Sequence, residues 1–394
     1  MQLPAYPMRI LQLHNFYKIA GGEDVVVRAE KNLLEAHGNS VALLDVDNDA
    51  IASKFSQALT AVNAIYSPAS KQRVLQEINR FEPDIVHVHN FFPLLSPAVY
   101  DACREAGVPV VQTLHNFRLF CANSFFYRDG KVCEDCMGKF FPTPAVVHAC
   151  YRDSRVGSAV LGTMQTVHRI RGTWRDRVNR YIVLTDFARS KFIEGGLPPE
   201  KISLKPNFLS PDPGIGLGSG EYALFVGRLS PEKGLDILLK AWEKLGQSIP
   251  LKIVGDGPLA DRVKHLSVKL PQVELLGRQP KNRVLDLMKE AKMLMFPSGW
   301  YEGFPMVLVE AYAVGLPVIA GNLGSMSTLV VPGRTGLHFR PGDANDLIAQ
   351  VEWAIAHPEE LKTMRQKARR EFESKYTADS NYQQLLKIYE LARS

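Results

Sequence analysis

The chain has 394 residues, 46% of them hydrophobic and 22% charged, with a formal net charge of +6. That length suits about two domains of ordinary size, and that balance belongs to globular proteins, which excludes intrinsic disorder as the starting point. No apolar run approaches the roughly 20 residues that span a bilayer, and Met1 to Arg9 lacks the charged-then-apolar order of an export signal, so a cytoplasmic protein is expected.

The apolar run Met8 to Leu13 leads through a polar turn to Gly21-Gly22, and Glu23 to His37 carries apolar residues near helical spacing. This predicts strand, glycine turn and helix. Further strands are predicted at Val41–Leu44, Ile85–Val88 and Val108–Leu114, with helices at Lys71–Phe81 and Ala98–Ala106. Strands separated by helices imply a parallel sheet covered on both faces. His115 ends the last of these strands. By itself, a histidine in that position is more often structural than functional.

Four of the five cysteines, Cys121, Cys133, Cys136 and Cys150, fall within thirty residues, whereas Cys103 stands apart in a helical stretch as a small buried apolar residue. Without an export signal, such a cluster points to a structural zinc ion before disulphides or unligated thiols. Four protein ligands would leave no open coordination position, so the ion would pin an insertion at about 117–155. Between the first two of these cysteines, Arg128-Asp129-Gly130-Lys131 reads as a turn.

Between Arg152 and Arg180 there are seven Arg against Asp153 and Asp176, which concentrates five of the six net charges there. A solvated helix face, an anionic membrane, a phosphorylated acceptor or single-stranded nucleic acid would each suit such a segment.

After Leu209 the stretch Ser210 to Gly220, SPDPGIGLGSG, has the composition of a linker. Its glycines precede a strand, which argues against a dinucleotide loop. The alternation then restarts: strand Ala223–Gly227, helix Gly234–Leu245, strand Leu251–Val254, helix Leu259–Lys269 and strand Val273–Leu276. Helix Asn282–Glu290, strand Met293–Phe296, helix Met306–Val314 and strand Pro317–Ala320 follow, and Pro358 to Ser394 is helical in composition. Two doubly wound α/β domains facing a cleft are expected, with ligands at the carboxyl ends of the strands.

Three constellations carry chemistry. In Val226-Gly227-Arg228-Leu229-Ser230-Pro231-Glu232-Lys233-Gly234, two cations stand five residues apart between a strand and a helix, where both can reach one anion. Val254-Gly255-Asp256-Gly257-Pro258 places glycines after the next strand, where backbone can come close to a ligand. In Glu302-Gly303-Phe304-Pro305 followed by Glu310, the second carboxylate sits among Val307, Leu308, Val309, Ala311 and Ala313. A carboxylate so placed costs free energy unless it is hydrogen-bonded, which suggests a polyhydroxylated partner such as a ribose.

These stretches, Val226 to Gly234, Val254 to Pro258 and Pro297 to Ala320, resemble the family 4 glycosyltransferases, retaining enzymes of the GT-B fold with two Rossmann-like domains. Their marker is two glutamates separated by seven residues, as in Glu302 and Glu310. The resemblance implies Glu302 on the hydroxyls of the donor sugar, Glu310 on the nucleotide ribose, and Arg228 with Lys233 on the diphosphate. It also implies roles for Gly255, Gly303, Phe304 and Pro305 in donor binding, for His115 at the donor sugar, and for Gly21 and Gly22 at the donor phosphates and acceptor.

The implied domains are 1–209 for the acceptor, 210–375 for a UDP- or GDP-linked sugar donor, and a helix at 376–394 packing back towards the first. The implied reaction is transfer to a hydroxyl of a saccharide or lipid-linked acceptor, with retention, in surface polysaccharide or glycoconjugate synthesis. The donor motifs supply cations and sugar-binding carboxylates instead of the general base an inverting displacement needs, and no Asp-x-Asp motif is read, so no metal is expected for catalysis. In this setting the Arg152–Arg180 segment is expected to meet the acceptor or the inner face of an anionic membrane, with no nucleic acid bound.

One departure is that Ser325-Met326-Ser327-Thr328-Leu329-Val330 lacks the Gly and Glu that many relatives carry after the Gly324 turn. The loop 321–330 is therefore expected to offer backbone amides. A GT-B-like sugar-nucleotide epimerase or phosphorylase, and a non-enzymatic membrane or nucleic-acid binding protein, are the alternatives. The paired glutamates argue against the first, and the intact set Arg228, Lys233, Glu302 and Glu310 against the second, which would keep only a relict donor cleft.

Overall fold

The computed structural model describes residues 7–16, 21–47 and 62–394. Met1 to Tyr6, part of the stretch read for an export signal, and residues 17–20 of the first turn lie outside the described residues. The chain forms two units: Met1–Phe126, Cys133–Pro206 and Asn381–Ser394 make one, and Tyr127–Val132 with Asn207–Ser380 make the other.

The first unit is built on strands β1 (Arg9–Phe16), β2 (Ser40–Asp47), β3 (Ile85–Asn90) and β4 (Val110–Leu114). After the hairpin of β5 (Tyr127–Arg128) and β6 (Lys131–Val132), which belongs to the second unit, come β7 (Arg180–Val183) and β8 (Ile202–Leu204). Their order is β2-β1-β3-β4-β7-β8, all parallel. Strand order reverses between β1 and β3, which opens a crevice at their carboxyl ends. Ile10, Leu11, Leu13, Ile85, Val86 and Val88 are fully buried there, but so are Gln12, His14 and His87. Polar groups are thus built into the middle of this sheet. The final helix, Ala378–Arg393, closes the unit with Tyr382, Leu385, Leu386 and Tyr389 buried, and Tyr382 stacks on His37 at 3.8 Å.

The second unit holds β9 (Ala223–Val226), β10 (Leu251–Val254), β11 (Val273–Gly277), β12 (Met293–Phe296), β13 (Val318–Gly321) and β14 (Gly336–Phe339). The order β11-β10-β9-β12-β13-β14 is the dinucleotide-fold arrangement, with its switch point between β9 and β12. Helix Leu235–Leu245 buries Leu235, Leu238, Leu239, Ala241, Trp242 and Leu245 against it. At about 1.5–3 kcal/mol for each large apolar side chain removed from water, that single face contributes several kcal/mol.

The structure differs from the expectations in two places. The Pro- and Gly-rich stretch from 210 to 220 is pinned to the second unit: Gly216, Gly218 and Gly220 donate their amides to Val314, Lys289 and Glu290, and Asp212 pairs with Arg369 at 2.6 Å. The C-terminal helical stretch is two helices, Pro358–Lys375 and Ala378–Arg393, parted at Tyr376 and Thr377.

Candidate functional site

At the carboxyl end of the second sheet, the loops after β9, β10 and β12 interlock. Gly299 donates its amide to the Glu232 carbonyl, and Leu229 to the Asp256 carbonyl, each at 2.9 Å. Gly234 has φ +72° and a Cβ there would stand 1.9 Å from the Pro297 carbonyl oxygen; Gly255 has φ +144° and a Cβ would stand 1.8 Å from that of Gly227. Only glycine permits backbones to pass this closely.

Glu302 is 6% exposed. Its Oε1 accepts hydrogen bonds from Lys233 Nζ at 2.7 Å and Ser298 Oγ at 2.6 Å. Lys233 Nζ also lies 5.2 Å from the centre of the Trp300 ring, so the cation has an aromatic face as well as a carboxylate. The backbone of the same turn is braced from the loop 321–330: Ser325, fully buried, donates from Oγ to the Glu302 carbonyl at 2.7 Å. Trp300 was not singled out in the sequence, and Ser298 and Ser325 stood there only as members of the Phe296-Pro297-Ser298 and Ser325–Val330 stretches, without a contact of their own.

Pro305 is the N-cap of helix Met306–Ala313, and Phe304 packs edge-on to Tyr376 with ring centres 6.0 Å apart. Glu310 lies about one turn into this helix, with its side chain 17% exposed and Lys281 Nζ 3.8 Å away. Burial raises its pKa and Lys281 opposes the shift. Arg228 is exposed and forms no ion pair among the described residues. The fold thus puts Lys233 and Glu302 in contact and leaves the Arg228 side chain in solvent.

In the first unit, Gly21 caps helix Gly22–Ala36 and donates its amide to Asp24 Oδ2 at 2.7 Å. Asp24 Oδ1 lies 2.7 Å from His14 Nε2, so this glycine amide is already held within the turn. His115 is half-buried, with Nε2 3.1 Å from Nδ1 of His89, in a narrow pocket shared with Thr113, Asn116 and Arg118. Beneath it, Glu30 Oε1 is 3.0 Å from His87 Nδ1 and 3.3 Å from His89 Nε2, and Oε2 is 3.0 Å from Lys205 Nζ.

Burial alone would raise the Glu30 pKa, but Lys205, and then His87, hold it well below the ordinary range. Burial, aided by His87, pushes His89 down to about 3, and burial with His89 lowers His115 well below the usual histidine range. Glu30, His87 and His89 are the one set of three described His, Cys, Asp or Glu side chains with ligand atoms all within 4.8 Å. The buried Lys205 ammonium already balances this carboxylate, which makes the set a charge-compensated core network instead of a metal centre.

The four clustered cysteines form no disulphide. Cys121 donates its thiol to Asn123 Oδ1 at 2.9 Å. Burial pushes the Cys136 thiol up to about 11, with Cys121, Cys150 and Cys133 adding to the shift, so the four share one neighbourhood without closing into a ligand set. Asp129 and Gly130, with φ +52° and +78°, turn the β5–β6 hairpin between them.

The basic segment is largely spoken for. Arg171 and Arg177 pair with Asp101, Arg175 with Asp176, Arg169 donates to the Lys139 carbonyl, and Arg180 to the Leu391 and Glu200 carbonyls. The expectation that no Asp-x-Asp spelling occurs is corrected by Asp45-Val46-Asp47, which ends β2 at the edge of the first sheet. Among the described residues no helix is long and apolar enough to cross a membrane.

Residues 21–212 match the family described as Glycosyltransferase Family 4, and residues 216–371 match Glycosyl transferases group 1. A glycosyltransferase of Methanocaldococcus jannaschii is 34% identical over 175 residues, 44% of this chain and 49% of its own length. The D-inositol 3-phosphate glycosyltransferase of Nocardia farcinica is 32% identical over 297 residues, 71% of this chain and 60% of its own. The chain therefore spans 49% and 60% of the length of these two relatives.

Among solved structures, Anabaena Alr3699/HepE in complex with UDP superposes with a TM-score of 0.70 at 18% identity, covering 97% of this chain and 100% of that one. The same protein has been solved with UDP-glucose. Two adjoining family matches that together run from residue 21 to residue 371, on a fold shared with solved GT-B proteins, make this chain a member of the family 4 glycosyltransferases.

Proposed function

We propose that the protein is a retaining glycosyltransferase that moves a sugar from a UDP- or GDP-linked donor to a hydroxyl of a saccharide or lipid-linked acceptor, in surface polysaccharide or glycoconjugate synthesis. The observation that carries this reading is the Lys233–Glu302–Ser298 cluster at the switch point of the second sheet, 6% exposed at its carboxylate. In this reading Lys233 and the solvent-facing Arg228 take the diphosphate, Glu302 accepts from sugar hydroxyls, and Glu310 accepts from the ribose. Gly255 and the turn Gly303-Phe304-Pro305 let backbone approach the donor, while His115, Gly21 and Gly22 serve from the first unit. The UDP complexes of Alr3699/HepE support a UDP-linked donor.

As the bond between the anomeric carbon and the diphosphate oxygen breaks, the acceptor oxygen bonds to the same face and its proton passes to the departing phosphate oxygen. Fixed cations act here because negative charge grows on that oxygen, and preorganised charge is most effective where charge develops. NMR of the product tests this: the donor's anomeric configuration is expected, and its inversion would overturn retention. Unchanged turnover in a chelator is expected too, and activity that Mn²⁺ alone restores would contradict metal-independent catalysis.

The insertion is read as a structural zinc site, supported by three thiols, Cys121, Cys133 and Cys150, close enough to Cys136 to act on it. Closing the site requires Cys121 to release Asn123, and metal analysis of protein purified without chelator decides, with no zinc refuting the idea. Peripheral contact with an anionic membrane is read onto the exposed parts of the basic segment, where Arg155 and Arg171 stand near exposed Val156 and Ile170. Vesicle flotation that is unchanged in Arg155→Glu with Ile170→Asp would count against it.

A further inference from the structure

Lys205, Glu30, His89 and His115 stand in series in the first unit, from a fully buried ammonium to a half-buried ring. We propose that Glu30 and His89 are positioning residues that fix His115 as its Nε2–H tautomer, leaving the Nδ1 lone pair of His115 to accept a hydrogen bond from a hydroxyl of the donor sugar. The last clause rests on the reading of His115 given above, whereas the tautomer does not.

The chain of reasoning begins at the buried end. Glu30 and Lys205 are each 1% exposed and 3.0 Å apart, and Asn381 Oδ1 accepts from the same ammonium at 3.1 Å. A carboxylate so paired is charged. Its Oε1 faces His87 Nδ1 at 3.0 Å and His89 Nε2 at 3.3 Å, the second slightly beyond the common range for N–H···O bonds, and His89 Nε2 has no other hydrogen-bond partner among the described residues.

A neutral imidazole carries one proton. Turning a bare ring nitrogen towards a buried carboxylate would set lone pair against negative charge, so the His89 proton sits on Nε2. His89 Nδ1 is then an acceptor, and the ring nitrogen 3.1 Å from it, Nε2 of His115, must be the donor. His115 is neutral as well, so its Nδ1 has no proton.

Burial keeps both rings in this state, since His89 is pushed down to about 3 and His115 lies well below the usual range. The other titratable groups facing them fit the same pattern. His14 turns its Nε2 to Asp24, and His87 presents Nδ1 to Glu30 and the Tyr389 hydroxyl. His87 and His89 sit two residues apart on β3, so the strand's own alternation turns both to the face that holds Glu30.

For function, the consequence is that His115 can only accept from the sugar. A donor whose contacted hydroxyl is replaced by hydrogen or methoxy gives it nothing to accept. The test is a long-range ¹⁵N–¹H correlation spectrum of the full chain, with the His115 ring identified by its loss in His115→Gln. A protonated Nε2 and a bare Nδ1 are expected. His89→Asn, whose amide oxygen can take the place of Nδ1, should keep the pattern; His89→Leu should give a mixture of tautomers and lower kcat about tenfold, the size of one lost hydrogen bond, with donor KM little changed.

A bare Nε2 on His115 in the unaltered protein, or an unchanged His115 spectrum in His89→Leu, would overturn the proposal. If His89→Leu does not fold, the spectrum of the unaltered protein decides alone. Should the tautomer be as expected while His115→Gln transfers sugar at the full rate, the sugar contact of His115 fails and the positioning of the ring stands.

Discussion

Lys233 Nζ and Glu302 Oε1 lie 2.7 Å apart, so the cation read for the diphosphate and the carboxylate read for the sugar hold one another in place. Partners of this kind act as a unit. Lys233→Ala and Glu302→Ala are each expected to lower transfer by about 10²- to 10³-fold, the range for removing one preorganised charge-stabilising group. The double variant should be little worse than the more damaging single one. Rate losses that simply multiply would show that the two act independently.

Glu310 gives a pH dependence whose sign can be worked out. Burial raises its pKa, with Lys281 opposing, so the carboxyl takes up a proton at a higher pH than an ordinary glutamate. A protonated carboxyl is a poorer acceptor for ribose hydroxyls, so nucleotide affinity should fall as pH drops through that raised value. Glu310→Gln should bind nucleotide about tenfold or more weakly at neutral pH and lose this part of the pH dependence. Titration calorimetry of both proteins measures it, and parallel pH profiles would contradict the assignment. For folding the sign is opposite, because burial disfavours the charged form, so Glu310→Gln should be no less stable at neutral pH.

The buried pair Glu30 and Lys205 is expected to matter for stability through what its loss leaves behind. Removing either partner strands a charge that is 1% exposed, a loss of about 3–5 kcal/mol for Glu30→Gln or Lys205→Met. Replacing both together should lose less than either alone. Glu30 is held well below the ordinary carboxyl range, so its contribution is present above the unfolded-state value and fades as pH falls through the folded one. Thermal melts of the three variants across pH check this, and equal losses at all pH values would be inconsistent with it.

Gly234 should tolerate no side chain. With φ +72° and a Cβ 1.9 Å from the Pro297 carbonyl oxygen, Gly234→Ala must push apart the loops that carry Lys233 and Ser298. Transfer should fall by about 10²-fold, as expected for a displacement of about 1 Å, while the far-UV spectrum stays native. Full activity in this variant would show that the loops need not touch.

Much of the second unit was legible because its strands are short apolar runs punctuated by Gly and Pro, and because Glu310 is out of place in an apolar helix unless it has work to do. β7, β8 and β14 were missed, since Arg180, Ser203 and His338 interrupt runs that are already only three or four residues long, whereas the equally short β12 is apolar throughout. Ser298 and Ser325 lay in stretches the sequence marked, but their contacts with the side chain and carbonyl of Glu302 could not be read there, as they come from what the turn at Glu302 needs. Glu30 and Lys205 are 175 residues apart in sequence and meet only through the fold. The basic segment shows the limit of counting charge: Asp101, 70 residues before Arg171, takes up Arg171 and Arg177, and no window along the chain brings them together.

The central claim is that Glu302 and its neighbours in the second unit turn over a nucleotide sugar. Release of nucleoside diphosphate from a panel of UDP- and GDP-sugars, by the unaltered protein and by Glu302→Ala, tests it most directly. The expected result is release from at least one donor and a loss of about 100-fold or more in the variant with its fold intact. Equal release by the two proteins would contradict the account.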